Sequence, residues 1–314
     1  MIEKQVPILR LGNFQQGTPR QQTDFSEKLF EALQRFGFVI IREHGIPSTI
    51  LERSYELVTD LFAQPDNIKQ RYRTPDGHRG YTPFGTEKAK DSDTPDLKEF
   101  WHIGPERAVR SHLNTKNVWP DRPFGFQETL SELFTCLHRV GEDLLKALTH
   151  QLGVTPDFFA NRIAEGDSVL RLLHYPPVSE GSNPKALRAA AHEDINLITI
   201  LVAAQGAGLE LLDRDGTWLP IENAPGDLIV DTGDMMARLT NEVLPSTTHR
   251  VVNPKGPNVS RYSMPFFMHL DADTPLTCLP SCVGDGQKHP TITAGAYLLQ
   301  RLEENGVIAE PSAV

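Results

Sequence analysis

The chain reads as a mainly β protein with flanking helices, its core a jelly-roll barrel. Two textures point there. Residues 1 to about 155 carry apolar side chains at helical spacing, whereas residues about 166 to 275 hold short strand-like runs broken by Gly, Pro, Asn and Asp. Helices in front of many short strands, without regular βα alternation, favour a barrel over a doubly wound sheet.

In chain order, Phe25, Leu29, Leu33 and Phe36 form one apolar helix stripe, and Gly37 supplies a left-handed stop. Phe38-Val39-Ile40-Ile41 reads as a buried strand, and Gly45 with Pro47 as a turn. Leu51, Tyr55, Val58 and Phe62 mark a second helix. The longest helix is expected from about Phe126 to Leu152, closed by Gly153. Such a length with one apolar side is suited to backing a sheet. Segments 168–175, 196–202, 209–212, 227–231, 249–252 and 262–269 are strand candidates, with a hairpin turn at Asp213-Arg214-Asp215-Gly216. Between helices and barrel, Gly77 to Gly104 reads as a long irregular segment, including Arg79-Gly80-Tyr81-Thr82-Pro83-Phe84-Gly85 and a charged run from Glu87 to Glu99. Long loops in compact domains often form lids or binding walls, so the substrate is expected against this segment. Trp101, Phe84 and Tyr81 are candidates for an apolar wall there, with the core the expected place for Trp101.

The 314 residues are 39% hydrophobic, enough for a substantial core, and carry a net charge of −10. That balance argues against nucleic acid or an anionic membrane as partner, since both attract basic surfaces. The first residues lack a secretory pattern, and no apolar run approaches the ~20 residues of a membrane span. Three cysteines (Cys136, Cys278 and Cys282) fit reduced thiols and a cytoplasmic setting. A metal half-site from Cys278, Cys282 and His289 is disfavoured, because no second cysteine pair has zinc spacing.

The chemistry concentrates in His192-Glu193-Asp194, Thr248-His249-Arg250-Val251 and Arg261-Tyr262-Ser263. On a strand, His192 and Asp194 point to the same face while Glu193 points away. His249 comes several strand lengths later, far enough to return from across a barrel. Two imidazoles and one carboxylate leave half an octahedron open, the donor set of non-haem Fe(II) oxygenases. Catalytic zinc is the rival, although no His-Glu-x-x-His helix is present. Arg261 and Ser263 also share a parity, and a guanidinium with a hydroxyl can grip a carboxylate. Among buried neighbours such an arginine needs an anion: an internal Asp or Glu, or a bound dicarboxylate.

In these motifs and their order, the chain resembles the isopenicillin N synthase-like branch of the Fe(II)/2-oxoglutarate-dependent oxygenases. The resemblance extends to Phe36-Gly37-Phe38, Gly45-Ile46-Pro47 and Gly80-Tyr81 in the N-terminal part. It implies a distorted double-stranded β-helix with Fe(II) on His192, Asp194 and His249. Arg261 and Ser263 would hold the distal carboxylate of 2-oxoglutarate, with Tyr175 assisting. Many members carry Asn two residues before that tyrosine, where this chain has Leu173. Asn196 stands two after Asp194, where relatives often have a smaller or different residue.

The implied reaction couples O₂ and oxidative decarboxylation of 2-oxoglutarate, giving succinate and CO₂, to oxidation of a small-molecule C–H bond. Hydroxylation, desaturation and ring closure all belong to this class. Some members of the branch use the Arg-x-Ser pair for a substrate carboxylate and act as Fe(II) oxidases without 2-oxoglutarate, a second reading. A third is a barrel that only binds a ligand. The expected layout is an N-terminal dioxygenase region at 1–120, a supporting helix at 121–165, the oxygenase barrel at 166–272 and a helical tail at 273–314, together one compact unit.

Overall fold

The computed structural model describes residues 4–75, 77–87, 94–106, 116–179, 181, 183 and 185–304. Twelve strands build two sheets. They are β1 (Ile8–Arg10), β2 (Phe38–Arg42), β3 (Gly80–Thr82), β4 (Glu99–Ile103), β5 (Val169–Tyr175), β6 (Ala189–His192), β7 (Ile198–Gln205), β8 (Leu209–Leu212), β9 (Trp218–Pro220), β10 (Leu228–Thr232), β11 (His249–Val251) and β12 (Arg261–Met268). The larger sheet has the order β1-β2-β10-β7-β12-β5-β4-β3, the smaller β6-β11-β8-β9. Both sheets line one cavity, so the fold is the double-stranded β-helix core with helices outside it.

The helix Pro19–Phe36 starts at a capping box on Thr18 and Gln21 and stops at Gly37, whose φ is 67°. A Cβ there would also lie 2.2 Å from Thr247 Oγ1, so glycine is required twice over. The helix Phe126–Leu148 lays Leu130, Leu133, Leu137, Val140 and Leu144 into the core shared with the eight-stranded sheet. It ends earlier than its apolar stripe predicts. Leu152 is still fully buried, but in the turn after the helix, because the core continues past the last helical hydrogen bond.

The segment from Gly77 to Gly104 departs from the expected irregular loop. It contributes β3 and β4, with Phe100 opposite Leu173 and Trp101 opposite Leu172 on β5. Trp101 is wholly buried, Tyr81 is buried with its hydroxyl donating to Glu99 (2.5 Å), and Phe84 is half exposed. Trp101 thus takes the core place expected of it, and none of the three lines the cavity between the sheets. Positions 88–93 of the charged run lie outside the described residues. Strands β1 and β9 are also additional to the expected set, each only three residues long and too short to show a period, whereas β6 is the strand expected at His192 but stops before Asp194.

Register arranges the inward face of the large sheet in rows. Phe38, Asp231, Thr199 and Phe267 are neighbours across β2, β10, β7 and β12. Ile229 and Leu201 follow in the next row, and Leu201 faces Pro265. Ser263 with Leu173, then Arg261 with Tyr175, come after them along β12 and β5. All these side chains line the cavity, because residues of one parity share a face.

Candidate functional site

His192 closes β6 and His249 opens β11, and the two are partners in the antiparallel ladder. Their ring centroids lie 4.4 Å apart. Asp194 sits two residues beyond the end of β6, with Oδ1 3.8 Å from Nε2 of each histidine. One donor atom from each of the three falls within 4.8 Å of the others, the only such group among the described residues.

Local chemistry fixes these side chains. His192 Nδ1 donates to the Ala190 carbonyl (2.7 Å) and His249 Nδ1 to the Thr247 carbonyl (3.1 Å). Each bond selects the tautomer whose Nε2 keeps its lone pair toward the partner residues. Burial, with the charge of His249 next, lowers the His192 pKa to about 4, so its imidazole is neutral, as a metal ligand must be. Asp194 Oδ2 accepts from Thr199 Oγ1, leaving Oδ1 facing the histidines. The Asp194 carbonyl accepts from the Asp234 amide (2.8 Å), which takes this residue out of the β6 ladder. Gly233 permits the approach, since a Cβ there would lie 2.3 Å from the Asn196 carbonyl. Asn196 braces the same turn by donating to the Ile198 carbonyl (2.7 Å) and Thr199 Oγ1 (3.1 Å).

At the other end of the cavity Arg261 is 2% exposed. Its Nη1 donates to Ser263 Oγ at 3.4 Å, its Cζ stands 5.1 Å from the Tyr175 ring centroid, and its Nε has no partner. No carboxylate lies within ion-pair distance of it among the described residues. The internal salt bridge that the sequence left open is therefore not formed among the described residues. Leu173 gives the cavity an apolar side chain.

The cavity between these ends has about 70 Å³ open to water-sized solvent. Its wall includes residues that strand parity alone did not single out. Asp231 lines it beside Thr199, and burial together with the charge of Asp194 raises its pKa well above the usual carboxylate range. Arg171, on β5 of the same sheet, and Lys98, just before β4, also line the cavity and share Glu87, with Lys98 also held by Asp96. Arg171 Nε donates to His102 Nε2 (2.6 Å), and its guanidinium lies 4.4 Å from the Phe100 ring centroid. Lys98 belongs to the segment expected to face substrate. Arg171 had no signal beyond its place in a buried strand.

Cys278 and Cys282 are buried free thiols, and His289 bonds to Glu242 (3.0 Å), so the disfavoured half-site does not assemble. No helix among the described residues is long and apolar enough to cross a membrane.

Comparison with known proteins agrees with this geometry. Residues 6–122 match the family described as the N-terminal region of non-haem dioxygenases in morphine synthesis, and residues 166–270 match the 2OG-Fe(II) oxygenase superfamily. A 2-oxoglutarate-Fe(II) type oxidoreductase of Metarhizium rileyi is 31% identical over 99% of this chain and 96% of its own length. The crystal structure of a 2OG-Fe(II) oxygenase family protein from Caulobacter crescentus superimposes with a TM-score of 0.85 at 39% identity, covering 95% of this chain and 98% of that one. A full-length Neurospora crassa protein, crystallised in complex with alpha-KG and thymine, gives a TM-score of 0.86 at 26% identity, covering 96% and 98%.

The chain belongs to the Fe(II)/2-oxoglutarate-dependent oxygenases, in their isopenicillin N synthase-like branch. It is a 2-oxoglutarate-dependent dioxygenase acting on a small molecule. The residues present fit both groups: an N,N,O donor set for the metal, and a buried guanidinium lacking an acid among the described residues for the co-substrate.

Proposed function

We propose that His192, Asp194 and His249 are the Fe(II) ligands and that Arg261 and Ser263, with Tyr175, hold the distal carboxylate of 2-oxoglutarate. One observation carries the reading: a three-donor cluster and a buried arginine with no acid partner among the described residues open onto the same cavity. Bound iron would supply the redox chemistry that couples O₂ and decarboxylation of 2-oxoglutarate to oxidation of a substrate C–H bond. The protein supplies placement. The Nδ1–carbonyl bonds and Thr199 hold the donors in one orientation, and Arg261 draws the dicarboxylate to the far end by a charge-assisted bond. Leu173, Leu201, Ile229 and Phe38 keep that path apolar, which strengthens each polar contact by excluding water.

The substrate then meets the remaining wall, where Arg171, Lys98 and Phe267 stand. A neighbouring fold that binds thymine is consistent with a compact small molecule here. The N-terminal strands β1 to β4 complete the barrel's large sheet, which supports reading residues 1–120, 121–165, 166–272 and 273–314 as parts of one unit. Three free thiols support a cytoplasmic setting.

The test is oxygen-free titration with Mn(II) and then 2-oxoglutarate, paired with aerobic assay of succinate in the Fe(II) protein. His192→Ala and Asp194→Ala should lose Mn(II) binding, and Arg261→Ala should keep Mn(II) but weaken 2-oxoglutarate. Unchanged Mn(II) affinity in either of the first two would reject the ligand assignment. Substrate conversion without 2-oxoglutarate would instead favour the oxidase reading.

A further inference from the structure

A second buried guanidinium is hydrogen-bonded to the segment that leads into Arg261. Arg188 is 3% exposed and Arg261 2%, yet neither meets a carboxylate among the described residues. Arg188 Nη2 donates to the Val259 carbonyl (2.5 Å), two residues before Arg261 on the chain leading into β12. Its amide donates to Asn253 Oδ1 (3.1 Å), which ties its backbone to the segment after β11. Nε of each arginine is buried with no partner. Burial, and then the charge of Arg261, pull the Arg188 pKa below its ordinary value, so the two cations feel one another.

Two buried guanidiniums without an acid among the described residues carry a desolvation cost, which an anion that both can sense offsets. Ser263 offers Arg261 a hydroxyl and no negative charge. A single cation would suffice for a neutral or weakly polar ligand tail, whereas a doubled positive field selects a full negative charge.

We propose that Arg188 is a positioning residue for 2-oxoglutarate, doubling the positive field on the carboxylate that Arg261 grips. The inference rests on the Arg261 assignment above. Arg188 is not part of the cavity lining, so it acts through the field and by holding the Val259–Arg261 backbone, without touching the co-substrate.

The test compares 2-oxoglutarate with 2-oxobutyrate, which keeps the keto acid end but lacks the distal carboxylate. Binding is measured by calorimetry on the Mn(II)-loaded full chain without O₂. Arg188→Gln keeps an amide for the Val259 carbonyl and removes the charge. It should weaken 2-oxoglutarate about tenfold and leave 2-oxobutyrate within about twofold. Arg188→Lys, which keeps the charge, should retain most of the preference. Equal losses for both ligands, or an unchanged 2-oxoglutarate affinity in Arg188→Gln, would overturn the proposal while leaving Arg261 in place. If Arg261→Ala itself fails to erase the preference for 2-oxoglutarate, the underlying assignment falls, and Arg188 with it.

Discussion

Thr199 and Asp194 are joined by a hydroxyl–carboxylate hydrogen bond that fixes which aspartate oxygen faces His192 and His249. Thr199 belongs to the row of the large sheet beneath the histidines, so the sheet's register sets the orientation of a residue on the opposite wall. Groups that orient metal ligands commonly contribute 10–100-fold to affinity. Thr199→Val keeps the shape and deletes the hydroxyl. It should raise the Mn(II) dissociation constant by about tenfold or more with little change in fold, as read by titration and circular dichroism.

Gly37 links the N-terminal helix to the same centre. Its left-handed φ of 67° disfavours any Cβ, and the space is taken by Thr247, whose carbonyl holds His249 Nδ1. Gly37→Ala should destabilise the fold by about 2 kcal/mol or more, combining the backbone penalty with displacement of Thr247. Its metal affinity should fall as well. Chemical denaturation and Mn(II) titration together check this; loss of stability alone would disconnect Gly37 from His249.

Next to Tyr175, Glu99 accepts from Lys69 (2.7 Å) and Tyr81 and pairs with His174 Nδ1 (2.7 Å), all buried. Removing this carboxylate strands a buried ammonium. Glu99→Ala should cost about 3–5 kcal/mol in urea unfolding. An effect within about 1 kcal/mol would mean that Lys69 finds solvent or its neighbour Asp66 instead.

His269 gives the folded chain a pH signature, in which the Asp194 carboxylate opposes part of the effect of burial. Burial lowers its folded pKa to about 4, against an unfolded value near 6.5. Between those values the unfolded chain binds the extra proton, so this residue makes stability rise with pH across that window and fall as pH drops below about 6.5. At pH 5 the contribution is about 2 kcal/mol. His269→Leu should reduce the loss of Tm between pH 7 and pH 5 relative to the parent chain. An identical pH slope in both proteins would show that His269 is protonated without cost.

Much of the molecule was legible in the chain. The helix from Pro19 to Phe36 and its stop at Gly37 follow from a four-residue apolar stripe and one glycine, both local signals. The strands holding Tyr175, His249 and Arg261 follow from alternation and flanking turn residues. The residue types His-x-Asp, His and Arg-x-Ser named the chemistry, because few other donor sets leave a metal half open beside an anion grip.

Tertiary structure decided the rest. No period in the sequence makes His249 the ladder partner of His192, since that pairing is set by β11 lying between β6 and β8. Asp194 left its strand because the amide of Asp234, far along the chain, claims its carbonyl. The Gly77–Gly104 segment became two sheet strands because β5 offered an open edge, which outweighed its loop-like composition. Arg188, Arg171 and Asp231 gained their places from burial and from the charges of neighbours distant in sequence. Local order is written in spacing; electrostatic surroundings exist only once remote segments pack.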